Sequence, residues 1–345
     1  MAQWPRLSNY SWSVNGPSMD ASTLQTFTSP VILFFVLGMA AAFARSDLAI
    51  PEAIAKGMSL YLMAAIGLKG GVAVAKSGID GTVVAALVAG IAASFLIPFA
   101  AYAVLKGLGR LDRINAGAVA AHYGSVSVVT FVTAVEMLEA QGKPPGGFMV
   151  AVMAAMETPA ILTGLMLARG LGGTNQQPKG ELLHEVFFNA SVVLLLGAFA
   201  VGMIGGVEGF AEVQPFFDAG FKGVLCIFLL DMGLIAARRI MDSRSLTWRL
   251  VVIAILMPLV NGMIGAALGT AIGLDVGSAA ALGVLCASAS YIAVPAALRL
   301  ALPEADPGIY LTMSLSITFP FNILVNIGLI SATASLLAGI GASAP

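Results

Sequence analysis

The chain has 345 residues, 59% of them hydrophobic and 10% charged, with a net charge of −1 and a mean hydropathy of +0.94. An ordinary soluble domain is about 25% charged, so this composition calls for lipid as solvent, and the near-zero charge gives no basis for a nucleic-acid partner. Residues 1–21 form a polar tail with Trp4, Tyr10, Trp12, Asn15 and Pro17, without the cationic-then-apolar layout of a secretory signal; Met19 is the expected native start. A membrane span needs roughly 20 apolar residues. Such stretches fall near 22–44, 52–75, 81–107, 114–138 and 146–168, then, after a polar connection at 169–184 holding GGTNQQPKGE, near 185–206, 216–237, 248–272, 277–301 and 308–336. A short tail, 337–345, ends the chain.

Lysine and arginine crowd the connections after the odd-numbered spans, among them Arg45, Lys106, Arg110, Arg113, Arg169, Arg238, Arg239 and Arg249. Only Lys76, Lys143 and Lys222 flank the connections after even-numbered spans. The positive-inside rule then puts the central linker in the cytoplasm and both termini outside. The two sets of spans match in order at offsets of 160 to 163: Gly71 with Gly233, Pro98 with Pro258, Asp112 with Asp275, Gly124–Ser127 with Ala287–Ser290, Glu157–Ala160 with Thr318–Phe321. An odd number of spans per copy forces the second copy to be inverted. The expected fold is therefore an all-α polytopic membrane protein of ten transmembrane helices, built as a first five-helix repeat (22–168) and an inverted second one (185–336). This plan is a signature of secondary transporters that bind near the membrane midplane.

Spans 4 and 9 carry the candidate chemistry. HYGSVSVVTFVT (122–133) and CASASYIAVPAA (286–297) each place a small, serine-rich patch in mid-span. Breaks at equivalent points imply discontinuous helices crossing near the midplane, whose restarts aim free N–H groups at a small anion. The candidate anion site is Gly124, Ser125, Val126 and Ser127 with Ala287, Ser288, Ala289 and Ser290. The alternative is that these serines are interface residues bonded to their own preceding turn.

Span 5 holds Glu157 before Pro159, and span 10 holds Ser316, Thr318, Pro320 and Asn322. Proline frees a carbonyl one turn upstream, and a carboxylate inside a membrane costs at least ~2.5 kcal/mol on insertion scales. Glu157 is the candidate sodium or proton site, with Thr130, Ser316, Thr318 and Asn322 as further oxygen donors. Lys69 and Asp231 occupy corresponding places and suggest a buried pair, an ion gate or a subunit contact. His122 reads as a hydrogen-bonded packing residue, Glu136 and Glu139 as solvated near the outer end of span 4, and Cys226 and Cys286 as buried spectators. No P-loop, dinucleotide fingerprint or HExxH motif occurs, and the other histidine, His184, lies in or beside the linker, so neither enzyme chemistry nor a cofactor is expected.

SPVILFFVLGMAAAF, IPEAIAKGMSLYLMAAIGLKGGVAVAKSG, HYGSVS and ETPA, with FLLDMGLIAARR, ASASYIAVPAA and FPFNI in the second half, resemble the sodium-dependent bicarbonate transporter family (SbtA type) over 28–336. The resemblance implies a sodium/bicarbonate symporter and a homotrimer. It implies a gate domain from spans 1, 2, 6 and 7, and a core domain from spans 3–5 and 8–10 that moves against it. It places the anion on Ser125, Ser127, Ser288 and Ser290 and sodium near Glu157, which stands where cyanobacterial members carry an aspartate. Those members have a longer central cytoplasmic segment; the short linker here argues against a PII-like regulatory partner. The expected setting is a bacterial inner membrane, with bicarbonate, Na+ and lipid as partners. A sodium/proton antiporter and an anion-binding membrane sensor are the alternative functions.

Overall fold

The structure, a computed structural model, describes residues 29–170, 190–242 and 246–342. The polar N-terminal tail, the GGTNQQPKGE connection and His184 lie outside the described residues. Helix is the regular structure of those that are described, with no strand among them. In chain order the helices are α1 (Pro30–Phe43), α2 (Glu52–Ser77), α3 (Gly81–Gly107), α4 (Arg113–Gly124), α5 (Val128–Ala140), α6 (Met149–Arg169), α7 (Ala190–Gln214), α8 (Phe221–Asp242), α9 (Trp248–Ala271), α10 (Val276–Ala287), α11 (Ala293–Ala301) and α12 (307–342).

By length and composition, seven helical stretches among the described residues suffice to cross a membrane. The difference from the expected ten has local causes. Pro30–Phe43 and Val276–Ala287 are apolar but short, and Val192–Asp242 is one helical run where two spans and a connection are expected. Within that run Gly206 adopts φ 57 and ψ −154, which kinks α7, and Pro215–Ala219 winds as a π-turn instead of a loop. Pro215 lies inside that run, where its missing N–H interrupts the α-helical hydrogen bonding just where the π-turn begins.

Two packing groups result. In one, α2 lies along α7 and α1 along α8. These pairs approach closely through glycine: a Cβ on Gly71 would overlap the Phe199 carbonyl, and one on Gly233 the Phe35 carbonyl. Small residues take this role where lipid removes the hydrophobic drive between helices. In the other group α3, α4 and α6 pack together, as do α9, α10 and α12. Matched positions do matched work. Asp112 caps α4 by accepting from Ile114 N and Asn115 N, and Asp275 caps α10 by accepting from Ser278 N. Asn115 then receives the Asp306 N–H at 2.8 Å, while Ser278 receives the Gly146 N–H at 2.9 Å. Each half thus holds a connection of the other.

Two charge assignments differ from expectation. Lys69 does not reach Asp231; its Nζ lies 2.9 Å from Asp218 on the π-turn. Asp231 is buried with Oδ2 unpartnered. Glu136 is not solvated: it is 6% exposed and pairs with Lys222 at 3.1 Å, joining α5 to the start of α8. Glu139 is exposed, as expected. Cys226 and Cys286 are buried free thiols.

Candidate functional site

Both mid-span patches are breaks in the helix. The first spans Ser125–Ser127, between α4 and α5, with Ser125 and Ser127 in extended conformations. The Ser127 side chain caps α5, accepting from Thr130 N at 3.2 Å. The second spans Ser288–Ile292, between α10 and α11, with Ser288 extended. Here α11 restarts after Ile292 without a side-chain cap, leaving the Ala293 and Val294 N–H groups without intrahelical partners, while Pro295 has none to offer.

The breaks touch. Ser127 N donates to Ser288 Oγ at 3.0 Å, and Ser290 N donates to the His122 carbonyl at 3.0 Å. The His122 ring closes the same contact through Nδ1 to the Ser290 carbonyl, and stacks on Tyr310 with centroids 4.8 Å apart. His122 is thus the hydrogen-bonded packing residue expected, and its bonds fasten one break to the other. Ser125, Ser127, Ser288 and Ser290 are all buried, as are Gly124, Val126, Ala287 and Ala289. Ser288 also donates to Leu285 O at 2.9 Å, so the local back-bond describes that serine but not Ser125, whose buried hydroxyl has no partner.

A buried polar group without a hydrogen bond costs about 1–3 kcal/mol, so such groups mark places built for something else. Besides Ser125 Oγ they include Tyr291 OH and Ser316 Oγ. Tyr291 follows Ser290 directly, and its ring lies edge-on to Phe319 at 5.2 Å. No serine-rich pattern singles out this tyrosine; its place immediately after ASAS was the available signal. Among the described residues no lysine or arginine makes an ion pair or hydrogen bond at either break.

The candidate cation ligands do not form one bonded cluster. Glu157 lies in α6, is 3% exposed, and has no hydrogen bond or ion pair among the described residues. Thr130 is buried in the first turn of α5 and Ser316 in a π-turn of α12. Thr318 and Asn322 are engaged elsewhere. Pro258 removes a helical donor from the Ala254 carbonyl, and Thr318 Oγ1 replaces it at 2.7 Å while meeting Tyr123 OH at 2.6 Å. Asn322 Nδ2 donates to Ala287 O at 2.9 Å and its Oδ1 accepts from Asn326 at 2.8 Å. Asn326 also reaches Pro258 O at 3.1 Å. Tyr123 and Asn326 are parts of this polar seam that sequence patterns did not reveal, because each reads as an ordinary helix residue.

Pro98 packs against Gly124, so that a Cβ there would collide with the proline ring. The end of α4 is therefore held close against α3 just where the first break begins. Two dipolar chain restarts, orphaned hydroxyls and one unpaired carboxylate suit weak binding of a small anion and a hard monovalent cation. Comparison with individually curated proteins finds no match. The profile of the Na+-dependent bicarbonate transporter superfamily matches residues 30–335, and the chain belongs to that superfamily.

Proposed function

We propose that the chain imports bicarbonate together with Na+, using ten membrane crossings arranged as two inverted five-helix repeats. The observation that carries this reading is the direct bonding of two broken helices, Ser127 N to Ser288 Oγ and Ser290 N to His122 O, beside the unpartnered Ser125 hydroxyl. The reciprocal Asp112 and Asp275 caps, and the exchanged Asn115 and Ser278 contacts, support the repeat. The charge bias of the connections supports outward termini.

In this reading bicarbonate sits between the breaks, held by Ser125, Ser127, Ser288, Ser290 and the restart N–H groups. Dipoles and hydroxyls bind it without a fixed cation, which permits release. Na+ binds at Glu157 with neutral oxygens; Thr130 and Ser316 remain candidates, and Thr318 and Asn322 act by shaping the seam. A monovalent anion entering against an inside-negative potential costs about 2.3 kcal/mol per 100 mV. One accompanying Na+ cancels that charge and leaves the sodium gradient as the drive.

The packing groups correspond to a gate from α1, α2, α7 and α8 and a core from the remaining helices. Elevator-like movement of the core, assembly as a homotrimer and residence in a bacterial inner membrane complete the proposal. Labelled bicarbonate uptake into proteoliposomes tests it: uptake rises when external sodium replaces potassium. No sodium stimulation in oriented, folded protein rejects coupling.

A further inference from the structure

A groove of about 670 Å³ lies between α3 and α9, away from the helix breaks. Its α9 wall is a ridge at four-residue spacing, Val252, Leu256, Val260 and Ile264, between 40% and 60% exposed. Its α3 wall is cut back by Ala100, Ala101 and Gly107. A long apolar ridge facing a wall of small residues leaves an open channel along the helices.

One end of the groove is different. Arg110, Trp248 and Arg249 line it there. Among the described residues neither guanidinium has a carboxylate partner. Arg249 Cζ instead lies 5.7 Å from the centroid of the Trp248 indole, which is 72% exposed. Arg110 has a left-handed backbone, φ 54, which is uncommon in a residue with a side chain.

The start of α9 adds positive partial charge at the same end of the groove. Thr247 occupies the N-cap position but makes no side-chain cap, so the first-turn N–H groups are open. Arg249 sits in that first turn, where the helix dipole already carries positive partial charge. Two cations and an uncapped helix start, at the mouth of an apolar channel, call for an anion with an apolar body. Basic pockets at the cytoplasmic ends of membrane helices take anionic headgroups, and an exposed indole suits the interface beside them.

We propose that this groove is a binding site for an anionic phospholipid. Its phosphate is held by Arg110, Arg249 and the start of α9, and its acyl chain lies along the Val252–Ile264 ridge. Both walls belong to helices that pack beside the breaks, α3 on α4 and α9 on α10. A lipid seated here therefore supports the helices that carry the proposed ion site.

Native mass spectrometry of the purified full chain tests this, with phosphatidylglycerol and phosphatidylcholine titrated in competition. Each arginine near an anionic lipid is worth about fivefold in affinity, so wild type retains phosphatidylglycerol with roughly 30-fold preference. The double variant Arg110→Gln/Arg249→Gln loses that preference, while Arg110→Lys/Arg249→Lys keeps most of it. Ala100→Phe, which fills the channel and leaves both cations, weakens retention of both lipids. Unchanged phosphatidylglycerol retention in the glutamine variant overturns the proposal, as does full displacement by soluble glycerol phosphate, which would make the site one for free phosphate esters. A groove closed by a second copy would show as a lipid-free oligomer that the Ala100→Phe variant dissociates, and that too overturns it. Thermal unfolding of each variant within a few degrees of wild type shows that loss of binding is not loss of fold.

Discussion

The two halves solve the same local problem differently. The first break is three residues long and capped by Ser127; the second is five residues long and restarts uncapped at Ile292. The contrast is larger one helix on. In the first half, α6 buries Glu157 with no partner among the described residues. In the second, α12 takes π-turns at Thr312–Thr318 and Asn322–Asn326, and its polar side chains bind the carbonyls of Ala254, which Pro258 frees, of Pro258 itself, and of Ala287 at the end of α10. Glu157 stands open in the first half, whereas its counterpart Thr318 and its neighbours Asn322 and Asn326 bind backbone carbonyls, although Tyr291 and Ser316 of the second half also keep unpartnered hydroxyls. That asymmetry is why the proposed cation site is centred on Glu157, while the proposed anion site draws on the breaks of both halves.

Substitutions break this comparison in a graded way. Glu157→Gln removes the unpaired carboxylate. If sodium binds there, the sodium concentration for half-maximal uptake rises at least about a hundredfold, the scale of losing one member of a buried charge pair. Glu157→Asp recovers part of it. Unchanged sodium dependence in the glutamine variant would move the cation elsewhere.

Ser125→Ala and Ser288→Ala come next. A hydrogen bond to a charged group is worth about 1.5–3 kcal/mol, so loss of the free Ser125 hydroxyl lowers bicarbonate affinity by about tenfold or more, whereas Ser288, whose proton goes to Leu285 O, acts by holding the breaks together. Ser288→Ala also strips the acceptor from Ser127 N. A larger loss there than at Ser125 would sharpen the view that the breaks are joined through Ser288. Wild-type rates in both variants reject the broken-helix site.

Thr318→Val probes the other half. It leaves the Ala254 carbonyl and the Tyr123 hydroxyl without their bond, which costs about 1–3 kcal/mol of stability. The unfolding temperature falls while the sodium requirement of the folded fraction stays near wild type. A selective change in sodium affinity instead would assign Thr318 to the cation.

The smallest effect on transport is expected at Lys222→Gln. The lysine is 65% exposed but Glu136 only 6%, so the change leaves a buried carboxylate without its cation and costs more stability than the about 0–1 kcal/mol of an exposed pair. Neither residue lies at the proposed ion sites, and transport changes by less than about fivefold. Because the pair ties α8 to α5, across the proposed gate and core, the change is expected in turnover and not in affinity. A purely affinity effect would detach it from any movement.

Much of the frame was readable from the residues. Small, serine-rich patches cannot hold a continuous membrane helix as leucine or alanine runs do, and both became breaks. Asp112 and Asp275 correspond in sequence, and the structure makes both of them helix caps. Other features depend on helix rotation and partner distance, which a linear pattern does not encode. Lys69 and Asp231 correspond in sequence, yet the extra helical length through Pro215–Ala219 brings Asp218 to Lys69 first. Glu136 lies near a helix end that looks exposed, but Lys222 covers it. The polar seam of Tyr123, Thr318 and Asn326 joins residues up to 195 positions apart, and no local spacing marks it. Tyr291 follows its motif by one residue and reads as an aromatic filler until its hydroxyl is seen to lack a partner.

The most direct measurement is reciprocal coupling in one proteoliposome preparation, with labelled sodium and labelled bicarbonate followed in parallel. Coupled import predicts that an inward bicarbonate gradient drives sodium entry, that an inward sodium gradient drives bicarbonate entry, and that Glu157→Gln suppresses both at sodium concentrations that saturate the wild type. Sodium entry in exchange for protons without bicarbonate would contradict the account in favour of an antiporter. Saturable bicarbonate binding with no flux of either ion would contradict it in favour of a sensor.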